Sequence, residues 1–155
     1  MGNALWERRA GQVDGALQFD GVSTYVSTPF ILNPIEVPFS VFAWIKGGEP
    51  GQSIISQNDG ADWLAADTSE GQLSTRLSPP SAGRFPVPTP PLISDIVITD
   101  GNWHRVGLVW DELDRILYVD DVEVAREVVG YPESSDGDLY LGTGSNGETG
   151  TFWSD

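Results

Sequence analysis

One histidine, no cysteine and 23 acidic side chains set the chemistry open to this chain of 155 residues. His104 would have to carry any Ser-His-Asp triad or multi-histidine metal site alone, and no thiol is present to act as a nucleophile. Its place after Trp103, within a segment of alternating apolar and polar residues, gives it a packed or hydrogen-bonded structural role instead. The carboxylates face seven Arg and a single Lys, Lys46, for a net charge of -15. A field of that sign repels nucleic acid and anionic lipid, favours solubility and attracts cations. Calcium is the metal that suits such a chain, because it takes hard carboxylate and carbonyl oxygens from loops.

A second chemistry is the stacking of an exposed aromatic ring on a sugar, with Asn, Asp and Arg nearby to orient the hydroxyls. Trp63, beside Asn58, Asp59 and Asp62 at a loop-to-strand junction, is the first candidate and Tyr131 the second. A core position is slightly favoured even for Trp63, as it is for most of the six tryptophans, and Trp44 and Trp110 are expected inside. The Gly142 to Gly150 stretch lacks the Lys and the following helix of a phosphate-cradling loop, so it reads as a flexible segment.

The elements that must hold these groups are strands. Eighteen Gly and eleven Pro punctuate the chain too often for long helices. Ala16 to Phe19 and Tyr25 to Ser27 read as two short strands around the Asp20-Gly21 turn. Phe39 to Ile45 places Phe39, Val41, Ala43 and Ile45 on one face and Ser40, Phe42, Trp44 and Lys46 on the other; bulk on both faces predicts a central strand. Ser53 to Gln57 follows, then a hairpin of Trp63 to Ala66 and Gln72 to Leu77. Residues 78–91 carry six prolines and no sustained period, which predicts an irregular surface loop. Ile93 to Ile98 reads as a short edge strand. In Trp103 to Trp110 the core face is His104, Val106, Leu108 and Trp110. Arg115 to Val119 and Val122 to Val128 make a hairpin closed by Asp120-Asp121 at positive φ, and Asp138 to Leu141 is the last strand. Residues 1–155 thus form one all-β domain, a two-sheet antiparallel sandwich.

The order of three segments resembles the laminin-G-like jelly roll of the concanavalin A-like lectin and glucanase superfamily. Gly15-Ala16-Leu17-Gln18-Phe19-Asp20-Gly21 with Tyr25-Val26 is similar to that family's early strand pair, and Phe39-Ser40-Val41-Phe42-Ala43-Trp44-Ile45 to its central strand. Asp100-Gly101-Asn102-Trp103-His104-Arg105-Val106 with Tyr118-Val119-Asp120 resembles its late hairpin. Together they span roughly residues 4 to 141. Asp-Gly turns and inter-sheet Trp anchors are retained for folding alone, so the resemblance implies architecture more than a ligand.

The resemblance also implies two further strands, one before Ala16 and one after the Gly-rich stretch, which are neighbours in one sheet. Both are expected to be missing here, unless Leu5 to Arg9 or Thr151 to Trp153 supplies a substitute. Their loss would leave an open sheet edge, covered by a second copy in a homodimer. In the glucanases of this group two Glu and an Asp share one strand. Glu112-Leu113-Asp114 matches the start of that pattern, but the third carboxylate would fall at Ile116 or Leu117. Acid and base need two carboxylates flanking the bond, so no catalytic residues are assigned. Asp20 matches an acidic position that lies near calcium in some relatives, and capping of its own turn is the competing role.

The expected function is a non-catalytic, lectin-like module for carbohydrate or glycoprotein; the alternative is a structural, self-associating domain with no small ligand. Nucleic acid is excluded as a partner by charge, and no stretch is long enough to insert in a membrane. Met1 to Ala10 has no apolar signal region, although the resemblance suggests an extracellular or cell-surface setting.

Overall fold

The computed structural model describes residues 4–78 and 89–154. Twelve strands run in order: β1 (Leu5–Glu7), β2 (Ala16–Gln18), β3 (Val26–Thr28), β4 (Phe39–Ile45), β5 (Ser53–Gln57), β6 (Asp62–Ala66), β7 (Gln72–Thr75), β8 (Leu92–Val97), β9 (His104–Trp110), β10 (Asp114–Val119), β11 (Val122–Val128) and β12 (Leu139–Leu141). A six-stranded sheet of order β3-β12-β5-β6-β7-β8 packs on a four-stranded sheet of order β11-β10-β9-β4, while β1 and β2 form a separate hairpin pair. Every strand pairing is antiparallel. This is the jelly-roll sandwich the sequence pattern implies.

The alternation of β4 and β9 decides what the four-stranded sheet buries. Ile45 of β4 and Val106, Leu108 and Trp110 of β9 enter the core, where Leu117 and Val119 of β10 join them. Ile55, Trp63, Leu64 and Leu73 come from the other sheet. Phe39 meets Trp63 across the core, ring centroids 4.7 Å apart, and such an offset aromatic pair anchors one sheet on the other. Burying a side chain of this size contributes about 2 kcal/mol. β5 is buried along its whole length because residues 142–153 pack over it. Ser53 donates its backbone N–H to Thr151 (2.9 Å), Gly142 donates to Ile54 (2.8 Å), and the Ser56 hydroxyl donates to the Thr143 carbonyl (2.7 Å).

Turn chemistry follows the sequence closely. Asp120 and Asp121 take φ of 52° and 67°, the left-handed pair that a two-residue hairpin needs to match strand twist. The Asp67 carboxylate accepts the backbone N–H groups of Ser69, Glu70 and Gln72 and fixes the β6–β7 loop. Arg115, fully buried, donates to the carbonyls of Leu77 (2.8 Å) and Pro90 (3.0 Å) and to the Glu127 carboxylate. It ties both ends of the Pro-rich segment to β10. Residues 79–88 of the loop predicted at 78–91 lie outside the described residues.

Three expectations need correction. β2 and β3 are not partners: β2 pairs with β1, and β3 with β12 in the other sheet. β4 is not central, since among the described residues it pairs only with β9 and so forms the edge of its sheet. Trp44 is accordingly not in the core but 43% exposed. Bulk on both faces of β4 reflected a second, outward apolar surface, not burial on both sides. Leu5–Glu7 supplies the substitute first strand.

Candidate functional site

The outward face of the four-stranded sheet carries an aromatic strip. Along β4 the residues pointing away from the core are Ser40, Phe42 and Trp44, and in the strand register Phe42 faces Gly107 while Trp44 faces Arg105. Tyr118 of β10 faces Gly107 from the other side. Three strands therefore place Phe42, Gly107 and Tyr118 in one row, with Trp44 and Arg105 in the next.

Gly107 is what lets the row close. A Cβ there would run into the Phe42 ring, so only glycine allows that ring to lie across β9. The ring centroids of Phe42 and Tyr118 are 5.8 Å apart, and the Arg105 guanidinium carbon sits 4.7 Å from the Phe42 centroid. Phe42 remains 38% exposed. The surface is thus a shallow platform of two rings and an indole, with guanidinium donors lying on it.

The charges beside the platform are anchored. Arg105 pairs with Asp121. Asp120 accepts the Arg105 backbone N–H through Oδ1 (2.8 Å), and its Oδ2 meets His104 Nδ1 (2.9 Å). The opposite ring nitrogen of His104 reaches Asp100 (3.1 Å). Burial works to lower the His104 pKa, but its bonds to Asp120 and Asp100 outweigh that and raise it. His104 thereby clamps the β10–β11 turn to the start of β9 and holds Arg105 in place, the hydrogen-bonded structural role expected of it.

The sites expected from sequence are dispersed. Trp63 is 3% exposed and stacked on Phe39; a ring without a free face cannot stack on a sugar, so its assignment as a ligand residue is corrected to core. Asn58 is engaged through its backbone, with its N–H on Asp138 (2.8 Å) and its carbonyl on the Ser135 hydroxyl. Asp59 sits exposed in the turn at φ 54°. Asp62, at the start of β6 in the same hairpin, lines a polar cleft of about 420 Å3 with Arg76, Glu133, Ser145 and Asn146, where its Oδ1 accepts the Ser145 N–H (3.0 Å). Tyr131 is 71% exposed in the segment between β11 and β12.

Asp20 caps its own turn. Its Oδ1 accepts the N–H groups of Val22, Ser23 and Thr24 and the Thr24 hydroxyl, and its Oδ2 accepts the Ser23 hydroxyl. The backbone donors of Ser23, Val22 and Thr24 hold its pKa far below the usual carboxylate range. Four of these five donors converge on Oδ1 and one on Oδ2, and no group of three His, Cys, Asp or Glu among the described residues is placed to hold a metal ion. Glu112 sits in the β9–β10 turn at φ 79° and Asp114 is the first residue of β10. Ile116 and Leu117 beyond them are core.

A laminin G family profile, described as the concanavalin A-like lectin/glucanases superfamily, matches residues 20–154. The chain belongs to this family. No curated protein sequence matches this laminin G-like domain. Among solved structures it is similar to domain 4 of AbnA, a GH43 extracellular arabinanase from Geobacillus stearothermophilus, in complex with arabinotriose. The TM-score is 0.68 at 15% identity, over 99% of this chain and 72% of that one. It is also similar to mouse laminin alpha1 chain, domains LG4-5, with a TM-score of 0.54 at 17% identity over 90% of this chain and 37% of that one. At identities this low the two likenesses show a shared fold alone.

Sequence reasoning missed Phe42, Trp44, Arg105 and Tyr118. The signal was the outward half of the β4 alternation, together with the one glycine in β9 directly opposite it.

Proposed function

We propose that this laminin G-like domain is a non-catalytic carbohydrate-binding module whose sugar site is the platform of Phe42, Trp44, Arg105 and Tyr118. The observation that carries the reading is the exposure of Phe42 and Trp44 side by side on a sheet face, at 38% and 43%. Exposed aromatic patches of this kind mark binding surfaces. The axial C–H groups of a pyranose or furanose ring pack on such rings, while the Arg105 guanidinium and the Asp121 carboxylate can direct hydroxyls. The likeness to an arabinanase domain in complex with arabinotriose supports an oligosaccharide as ligand. A glycoprotein would offer the same surface a terminal glycan, and an extracellular or cell-surface setting fits either.

The test is a panel of plant and animal oligosaccharides, arabinotriose included, read by calorimetry. Binding that is lost in Trp44→Ala and kept in Asp62→Ala is the expected result. Binding lost instead in Asp62→Ala would move the site to the polar cleft.

Self-association is the second reading, favoured by the outer edge of β4, which has no strand partner among the described residues. Light scattering decides it, since a monodisperse monomer at high concentration removes the homodimer.

A further inference from the structure

The aromatic row of the outer face does not stop at Tyr118. In the register of β10 and β11, Tyr118 faces Glu123 and Ile116 faces Arg126. The row of Phe42, Gly107 and Tyr118 therefore crosses all four strands and ends on a carboxylate. Arg126 grips that carboxylate with two parallel bonds, Nε to Oε1 and Nη2 to Oε2, both 2.9 Å. Its Nη1 donates to Asp114. A fork of this kind is among the stronger hydrogen-bonded geometries open to a carboxylate. It holds the Glu123 carboxyl below its ordinary pKa, so the group stays charged at neutral pH.

The platform thus lies between two guanidinium–carboxylate pairs, Arg105 with Asp121 in the row of Trp44 and Arg126 with Glu123 at the end of the row of Phe42. Both carboxylates face solvent, with the Asp121 side chain 69% and the Glu123 side chain 40% exposed. A ligand lying on the rings meets them. The positive charge of each arginine is already matched, yet N–H groups are left over: a guanidinium has five donors, and Arg126 uses three of them on Glu123 and Asp114. Lys46, two residues past Trp44, forms no ion pair among the described residues. Its single ammonium stands against Asp114, Asp121 and Glu123 on this face and Asp100 and Asp120 beside it.

We propose that Asp121 and Glu123 are specificity residues of the sugar site and restrict it to uncharged oligosaccharides, turning away uronates and sulfated sugars. The inference rests on the platform being the sugar site. A neutral ring takes donors from Arg105 and Arg126 and gives its hydroxyl protons to the open lone pairs of Asp121 and Glu123. An anionic sugar has to displace one of those carboxylates from its arginine, which leaves two anions side by side where one ion pair stood. The net charge of -15 acts in the same direction.

The test uses trisaccharides that differ only at C6, cellotriose and galactotriose with the corresponding triuronic acids. They are titrated into the unmodified domain beside arabinotriose. At low ionic strength the neutral member of a pair should bind about tenfold more tightly than the acid, and the gap should narrow as salt screens the charges. Asp121→Asn and Glu123→Gln should each reduce that ratio. Glu70→Gln, which removes the same charge from the β6–β7 loop of the other sheet, should leave it unchanged. A triuronate that binds as tightly as its neutral partner and shifts the Trp44 indole overturns the inference while the sugar site stands, and loss of that binding in Lys46→Gln would name the residue that captures it. A ratio that neither carboxylate variant alters overturns the inference as well. No binding across these pairs and the wider panel removes the sugar site and its specificity together.

Discussion

Gly107 lies directly opposite Phe42 in the β4–β9 ladder, and the Phe42 ring occupies the space where a Cβ on Gly107 would stand. A glycine in the middle of a strand weakens it, so its presence here follows from the ring it accommodates. Gly107→Ala should lift Phe42 off the sheet and cost about 1–3 kcal/mol, the usual range for overpacking. Chemical denaturation would show this as a lower midpoint. An unchanged midpoint would mean that the ring has another resting place.

Trp44→Ala is expected to separate binding from folding. The side chain is exposed at the edge of its sheet, and surface substitutions of this kind shift stability by less than about 0.5 kcal/mol. A near-normal melting curve with lost sugar binding is the outcome to look for. A collapsed melting curve would show that Trp44 supports the core.

Arg115 presents the opposite case. Its buried guanidinium satisfies the carbonyls of Leu77 and Pro90, and Arg115→Met leaves those acceptors without partners, at a cost of about 2–3 kcal/mol. The same change releases both ends of the 78–90 segment, so limited proteolysis should cut there faster than in the parent chain.

His104 gives stability a pH dependence. Its pKa is raised in the folded state, so the folded chain holds the proton more tightly than the unfolded one. The stability this provides is complete below the unfolded value, roughly pH 6.5, and is lost as pH rises through the folded pKa. Tm should therefore fall on going to mildly alkaline pH, and His104→Gln should flatten that slope. The reverse slope in the parent chain would contradict the Asp100–His104–Asp120 clamp.

Asp20 is expected to act without calcium. Asp20→Ala should lower Tm in the presence of chelator, and added calcium should leave the parent Tm unchanged. Its lowered pKa means that the turn's contribution is present above the unfolded value and is lost as pH falls through the folded one. A calcium-induced rise in Tm that Asp20→Ala abolishes would assign Asp20 a metal role.

Period and turn chemistry made most of the fold legible. β4 and β5 coincide with the predicted bounds, because alternation and flanking turns are local properties. The Asp120-Asp121 turn was readable for the same reason. What could not be read was which strands become neighbours: β2 and β3 are separated by a short turn yet lie in different sheets. That long-range fact also bears on the site. Trp63 and Trp44 each stand in an apolar strand, but β6 is flanked on both sides and β4 is an edge, so Trp63, weighed between a sugar contact and the core, is inside, and Trp44, expected inside, is at the surface.

The most direct test of the sugar site is amide and indole chemical-shift mapping of the labelled domain during titration with arabinotriose and with the best ligand from the oligosaccharide panel. The account predicts that perturbations centre on the Trp44 indole and the backbone of Phe42, Gly107 and Tyr118, and that they saturate. Shifts centred on Asp62, Ser145 and Asn146, or none with any sugar in the panel, would contradict it.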